Sequence, residues 1–160
     1  MQAEATAPHP FREAFTARDF AAMRELLHPD VVLNSPILST PFVGREAVLE
    51  LFEVIAETLE DVRYGVDMAD GDVRFFSWNT RVRGTEMQGA DILRLDEDGR
   101  IVEFTVFFRP LKGITVLASA LGKGLARRRS PARAMLVGAA SAPMIALSRA
   151  SDSLAPRLVK

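Results

Sequence analysis

The chain has 160 residues and no cysteine. That excludes a disulfide framework, a thiolate metal site and a cysteine nucleophile. It has only two histidines, His9 and His28, so no multi-histidine metal centre is expected, and no cofactor is called for. No run reaches the roughly 18 apolar residues of a membrane span. The longest candidate, Met135 to Leu147, is interrupted by Gly138 and Pro143. The first eight residues have neither a basic nor an apolar segment and do not read as a signal peptide. A cytoplasmic location is therefore expected.

What is present suits a soluble globule. Apolar residues make up 48% and charged residues 26%, which excludes a wholly disordered chain. The length fits one domain with a short extension. A formal net charge of −1 hides a division. Residues 1–110 carry 11 basic and 20 acidic side chains, or −9, and residues 111–160 carry 9 basic and 1 acidic, or +8.

Hydrophobic periodicity predicts a helical half followed by strands. Phe11, Phe15, Phe20, Met23, Leu26 and Leu27 suggest helix over residues 9–28. A short strand follows at residues 31–35, ended by Pro36. Val48, Leu51, Phe52, Ile55 and Leu59 form one helical stripe, with Glu46, Glu50, Glu53 and Glu57 mainly opposite. The period then becomes two. Val62, Tyr64, Val66 and Met68 share a face, as do Phe76, Trp78, Thr80 and Val82. Met87, Gly89, Asp91, Leu93 and Leu95 share the next face, and Val102, Phe104, Val106 and Phe108 the last. Turns are expected at Asp70-Gly71-Asp72, at Gly84 and at Asp96-Glu97-Asp98-Gly99. The class is α+β, with an antiparallel meander. After Pro110 the helical period returns. Ser130-Pro131 reads as the cap and first residue of a further helix, expected to kink or break near Pro143.

The order of these elements, with Leu27-His28-Pro29-Asp30-Val31-Val32, Ser35-Pro36, Phe42-Val43-Gly44-Arg45-Glu46-Ala47-Val48, Gly89-Ala90-Asp91-Ile92-Leu93-Arg94-Leu95-Asp96 and Gly99-Arg100-Ile101-Val102-Glu103-Phe104, resembles the nuclear transport factor 2-like superfamily. The local wording is similar to its SnoaL-like bacterial branch. The resemblance covers about residues 9–110, and residues 111–160 fall outside it. It implies a cone: a curved antiparallel sheet wrapped around N-terminal helices, with an apolar interior open at one end, here followed by a helical C-terminal extension. That superfamily includes isomerases, epoxide hydrolases, polyketide cyclases and non-catalytic binding domains, so the fold alone does not give function.

Asp91 is the candidate catalytic residue. A carboxylate on an otherwise apolar strand face is desolvated, which favours its neutral form. A neutral Asp can donate to a developing oxyanion or give up a proton. The bland alternative is a structural carboxyl accepting hydrogen bonds from Ser35, Trp78 or Tyr64. Asp91 also looks like the oxyanion-hole Asp of ketosteroid isomerase. That enzyme's general base aligns with Ser35, and its oxyanion-hole Tyr with Phe11, so allylic isomerisation is not expected. The Arg that epoxide hydrolysis needs aligns with Gly89. A ligand pocket is expected from Phe15, Leu33, Ser35, Phe42, Phe52, Trp78, Thr80, Phe104 and Phe108, suited to a flat or bulky apolar molecule. His28 is read as a helix C-terminal residue and His9 is given no role.

The other sheet face carries Phe75, Ile92, Ile101, Thr105 and Phe107, too apolar to be fully wet, and an isologous homodimer through it is expected. The basic extension is expected to dock by charge on the acidic body. Contact with a membrane surface is the second reading of that extension. Nucleic acid is not an expected partner, because one Arg127-Arg128-Arg129 cluster without interleaved aromatics is too little. Three functions stay open. They are an acid/base enzyme acting on an apolar or polyketide-like substrate through Asp91, a non-catalytic ligand-binding or interaction module, and a membrane-associated lipid or sterol carrier.

Overall fold

The computed structural model describes residues 7–158. Two short helices, α1 (Pro10–Ala17) and α2 (Phe20–Leu26), precede strand β1 (Leu27–Asn34), the two-residue β2 (Phe42–Val43) and helix α3 (Arg45–Thr58). Four long strands follow, β3 (Glu60–Asp70), β4 (Val73–Val82), β5 (Thr85–Leu95) and β6 (Ile101–Arg109), and then α4 (Leu111–Arg129) and α5 (Pro131–Leu158).

The helix expected over residues 9–28 is two helices. Arg18 takes a left-handed conformation at the end of α1, with φ 55°. The Asp19 side chain then accepts from the Ala22 N–H at 2.9 Å and starts α2 in a new direction. Leu27 already belongs to β1, so His28 lies in a strand and not at a helix C-terminus. Its Nδ1 accepts from the Asp30 N–H at 3.1 Å. Ser130 caps α5 as expected, accepting from the Arg133 N–H at 3.3 Å. The break expected at Pro143 does not occur, and α5 is continuous through it.

The six strands form one curved, unclosed sheet in the order β2-β1-β6-β5-β4-β3. The meander β3–β6 is antiparallel throughout. The sheet is nevertheless mixed, because β1 lies parallel to β6, brought there by the helical crossover that α3 begins. β5 pairs with β4 without interruption from Thr85 to Arg94. β3 does not keep such register. Tyr64 faces Trp78 but Asp67 faces Phe76, so an extra residue bulges between them. The bulge reverses the faces beyond it. Val62 and Tyr64 point inward as their period predicts, but Val66 and Met68 turn out to solvent and the Asp67 carboxylate turns in.

The concave side of the sheet holds the core. Phe11, Phe52 and Phe104 pack with ring centroids 5.1–5.2 Å apart, flanked by Phe15 and Phe76. Helix α4 adds Val116, Leu117, Ala120 and Leu121 to this cluster. It sits close because Gly113 and Gly124 present no side chain to Met87 and Val54.

The last turn of α4 carries the basic cluster onto the acidic stripe of α3. Arg128 contacts Glu53 at 2.5 Å and Glu57 at 3.4 Å, and Arg129 contacts Glu50 at 3.0 Å. Glu46 is paired with Arg24 of α2. The charge division in the sequence is thus in part an intramolecular clamp. Each such pair is solvent-exposed and contributes well under about 1 kcal/mol, so the clamp orients α4 more than it stabilises it.

Candidate functional site

Asp91 is buried at the centre of the concave face, with Phe76 and Val106 opposite it on β4 and β6. The Trp78 indole N–H donates to its Oδ2 at 2.9 Å. Oδ1 is buried and has no hydrogen-bond partner among the described residues. Burial drives the Asp91 pKa well above the usual carboxylate range, and the Trp78 N–H offsets this only in part. Burial thus favours the neutral form of this carboxyl. Because an indole can only donate, Oδ2 serves as acceptor, which leaves Oδ1 as the oxygen available to carry a proton.

Gly89 makes this geometry possible. It lies opposite Trp78 in the β4–β5 register, and the indole ring rests on it. A Cβ there would fall 2.0–2.4 Å from three atoms of the ring. The bare backbone at residue 89 lets the ring lie flat along β5, so that its N–H reaches the carboxyl two residues away.

A small chamber surrounds the carboxyl, of about 50 Å³. It is lined by Phe11, Phe15, Phe52, Ile55, Leu59, Val62, Tyr64, Trp78, Phe104 and Val106 together with Asp91. This is room for a few water-sized groups, well below the 300–1,000 Å³ of a drug-sized pocket. The phenyl cluster has filled most of the interior that the sequence reading left for a ligand. An adjoining chamber of about 150 Å³, between α1, α3 and the start of β3, shares Phe15, Leu59 and Val62 with it.

The residues singled out from the sequence divide by position. Asp91, Phe15, Phe52, Trp78 and Phe104 meet in the chamber. Leu33 is sealed in the core. Thr80 is buried but donates to the Glu60 carbonyl at 2.7 Å. Ser35 and Phe42 line a separate groove against α4, with Leu121 and Leu125, and the Ser35 hydroxyl accepts from the Ile37 N–H at 3.1 Å. Phe108 touches Trp78 with ring centroids 6.2 Å apart, and lines an open groove with Phe107 and Arg109. Leu33, Ser35, Phe42, Thr80 and Phe108 therefore do not line the Asp91 chamber.

Two aromatic residues outside the expected pocket also line the chamber. Phe11, weighed only as the counterpart of a tyrosine, forms part of the chamber wall. Tyr64, the only tyrosine of the chain, also lines it, meeting Phe76 edge-on at 5.5 Å. The Arg12 guanidinium lies 4.6 Å from the centre of the Tyr64 ring, and Arg12 is held by Asp67 at 2.6 Å. Burial and then the nearby Asp91 carboxyl push the Tyr64 hydroxyl pKa up, against the pull of Arg12. Buried His9 caps α1 by accepting from the Phe11 N–H at 3.3 Å. Its pKa is lowered by burial and then by Arg74, with Asp67 opposing. His9 thus holds the helix that carries Phe11, Arg12 and Phe15. Only the β3 bulge assembles this cluster, and no local sequence signal announces it. Among the described residues no group of His, Asp or Glu side chains could hold a metal ion.

A curved, unclosed mixed sheet with helices on its concave side is the architecture of the nuclear transport factor 2-like superfamily. Within it the chain belongs to the SnoaL-like domain family, whose model matches residues 10–104. A steroid delta-isomerase from Pseudomonas aeruginosa is 32% identical, with a TM-score of 0.72 over 76% of this chain and 90% of that one. An uncharacterized protein with a cystatin-like fold from Silicibacter pomeroyi is 25% identical, with a TM-score of 0.69 over 79% and 88%. A structure assigned as a SnoaL-like polyketide cyclase from Shewanella denitrificans shares the fold alone, at 14% identity and a TM-score of 0.52 over 61% and 83%. No match is found among curated proteins.

Proposed function

We propose that this chain binds a small apolar or polyketide-like molecule carrying a carbonyl group, and that Asp91 acts on that carbonyl as a neutral acid. The observation that carries this reading is the carboxyl itself. One of its oxygens accepts from the Trp78 indole, and the other is buried without a partner among the described residues in an apolar chamber, where burial favours the neutral form. Such a group donates a short hydrogen bond to a developing oxyanion and can pass it a proton. The 50 Å³ chamber accommodates the reacting group. The likeness to a steroid delta-isomerase supports an apolar ligand. Moving a proton between two carbons also needs a base. Ser35 lies in another groove, and no second carboxylate lines the chamber. Enolisation or addition at one carbonyl, with water as the proton acceptor, therefore fits better than isomerisation.

The test is hydrogen–deuterium exchange beside the carbonyl of small ketones in D₂O, followed by NMR. Wild-type protein is expected to accelerate exchange about a hundredfold or more over Asp91→Asn. Equal rates would end the acid-catalyst reading. Retained ketone binding by both proteins would then leave a non-catalytic binding module, which the apolar chamber also suits.

The convex sheet face supports a homodimer. Met68, Phe75, Ile92 and Thr105 form one cross-strand row on it, beside the half-exposed Phe107. Phe107→Glu with Ile92→Glu is expected to halve the mass seen by sedimentation velocity. An unchanged mass would mean that copies do not meet through this face.

A further inference from the structure

We propose that helix α5 lies with its outward face on an anionic lipid surface. This inference is independent of the Asp91 site. α5 packs along α4, and among its described side chains Ile145 and Ser148 face inward. Ile145 is half-buried and the buried Ser148 hydroxyl meets that of Thr115 at 2.8 Å. Met135, Leu136, Met144 and Leu147 are each more than half exposed. At 3.6 residues per turn they fall on one half of the helix, with exposed alanines between them. Residues 134–148 contain no charged side chain, and Arg133 and Arg149 flank them. This is an apolar half-cylinder bounded by cations.

The charge around it selects the occupant. Residues 111–160 carry nine basic residues and one acidic residue. Arg128 and Arg129 engage the α3 carboxylates, and Glu46 of the same stripe is held by Arg24. The remaining basic residues of the extension still outnumber its one acid, Asp152. A second copy would bring like charge to like charge across this face. A bilayer with anionic headgroups offers both the apolar layer and the counter-charge. An uncharged stretch of 15 residues spans only about 22 Å, short of a hydrocarbon core of about 30 Å. No helix of the described residues is long and apolar enough to cross a membrane. The helix therefore lies in the interface plane.

The full chain is to be sedimented with sucrose-loaded phosphatidylcholine vesicles, with and without phosphatidylglycerol. Binding at least about tenfold stronger to the anionic vesicles is expected. The neutral pair Leu136→Gln/Leu147→Gln, which leaves charge unchanged, is expected to lose about tenfold. Met135→Gln/Met144→Gln serves as a second pair if the first loses its helical circular dichroism. Failure to bind anionic vesicles overturns the proposal. Equal binding by the Gln pairs also overturns it, since charge alone would then suffice. A Gln pair that lowers the sedimentation mass without lipid overturns it as well, because a second copy would then be the occupant.

Discussion

Asp91→Asn should make this protein more stable at neutral pH, not less. Burial raises the pKa of the wild-type carboxyl well above the usual range in the folded state and so favours its neutral form there. In the unfolded chain it ionises near its ordinary value of about 3.9. Above that pH the folded state binds more protons than the unfolded state, so stability falls as pH rises. The fall continues until the raised folded pKa is reached. Below the unfolded value both states are protonated and the contribution is fully present. The asparagine of the variant has no proton to lose. Its amide oxygen can accept from Trp78, and its NH₂ can take the place of the Oδ1–H. The variant should therefore match wild type in acid and become progressively more stable than it as pH rises above about 3.9 towards neutrality. Urea unfolding at a series of pH values measures this. Parallel curves for the two proteins would show that Asp91 is not held neutral, and would remove the basis for its acid role.

How far the sequence revealed this site depended on strand register. Asp91 was legible because β5 pairs with β4 without interruption from Thr85 to Arg94, so a period of two counts its face correctly. The same count failed on β3. One inserted residue after Tyr64 sends Asp67 inward and Met68 outward, and alternation of residue types cannot register an insertion. The break between α1 and α2 was hidden for a similar reason. It rests on Arg18 in a left-handed conformation, where neither Gly nor Pro marks the position. The parallel pairing of β1 with β6 joins segments some 70 residues apart, a relation that no local pattern contains. Cavity size was the least legible. The family resemblance implied an open interior, but whether five phenyl rings line a cavity or fill it depends on their packing in three dimensions. The charge division was legible, and Arg128 and Arg129 show what part of it does. The apolar residues around Met135 and Leu147 were legible too, but their exposure along one continuous helix depends on α5 running through Pro143.

Gly89→Ala should disable the site through Trp78. A methyl group at residue 89 would sit 2.0 Å from the indole Cζ2, against a rigid ring that cannot bend away. The ring must rotate off β5, and its N–H then leaves Asp91 Oδ2. Overpacking of this kind costs about 1–3 kcal/mol, and a buried carboxyl stripped of its partner costs a similar amount. A loss of about 3 kcal/mol or more is expected in urea unfolding. Trp78 is the only tryptophan in the chain, so its emission reports the displacement directly and should shift to the red. The Trp78 N–H also holds the Asp91 pKa down in part. Losing it should move the protonation of Asp91 to still higher pH, visible as an upward displacement of the pH limb of ketone exchange. Trp78→Phe removes the same N–H while leaving residue 89 bare. It should reproduce the pH displacement without the steric cost. In the double variant Gly89→Ala/Trp78→Phe the smaller ring relieves the clash, so the two stability losses should combine to less than their sum. Simple additivity, with unshifted emission in Gly89→Ala, would show that the indole does not rest on Gly89 and that Asp91 is oriented by something else.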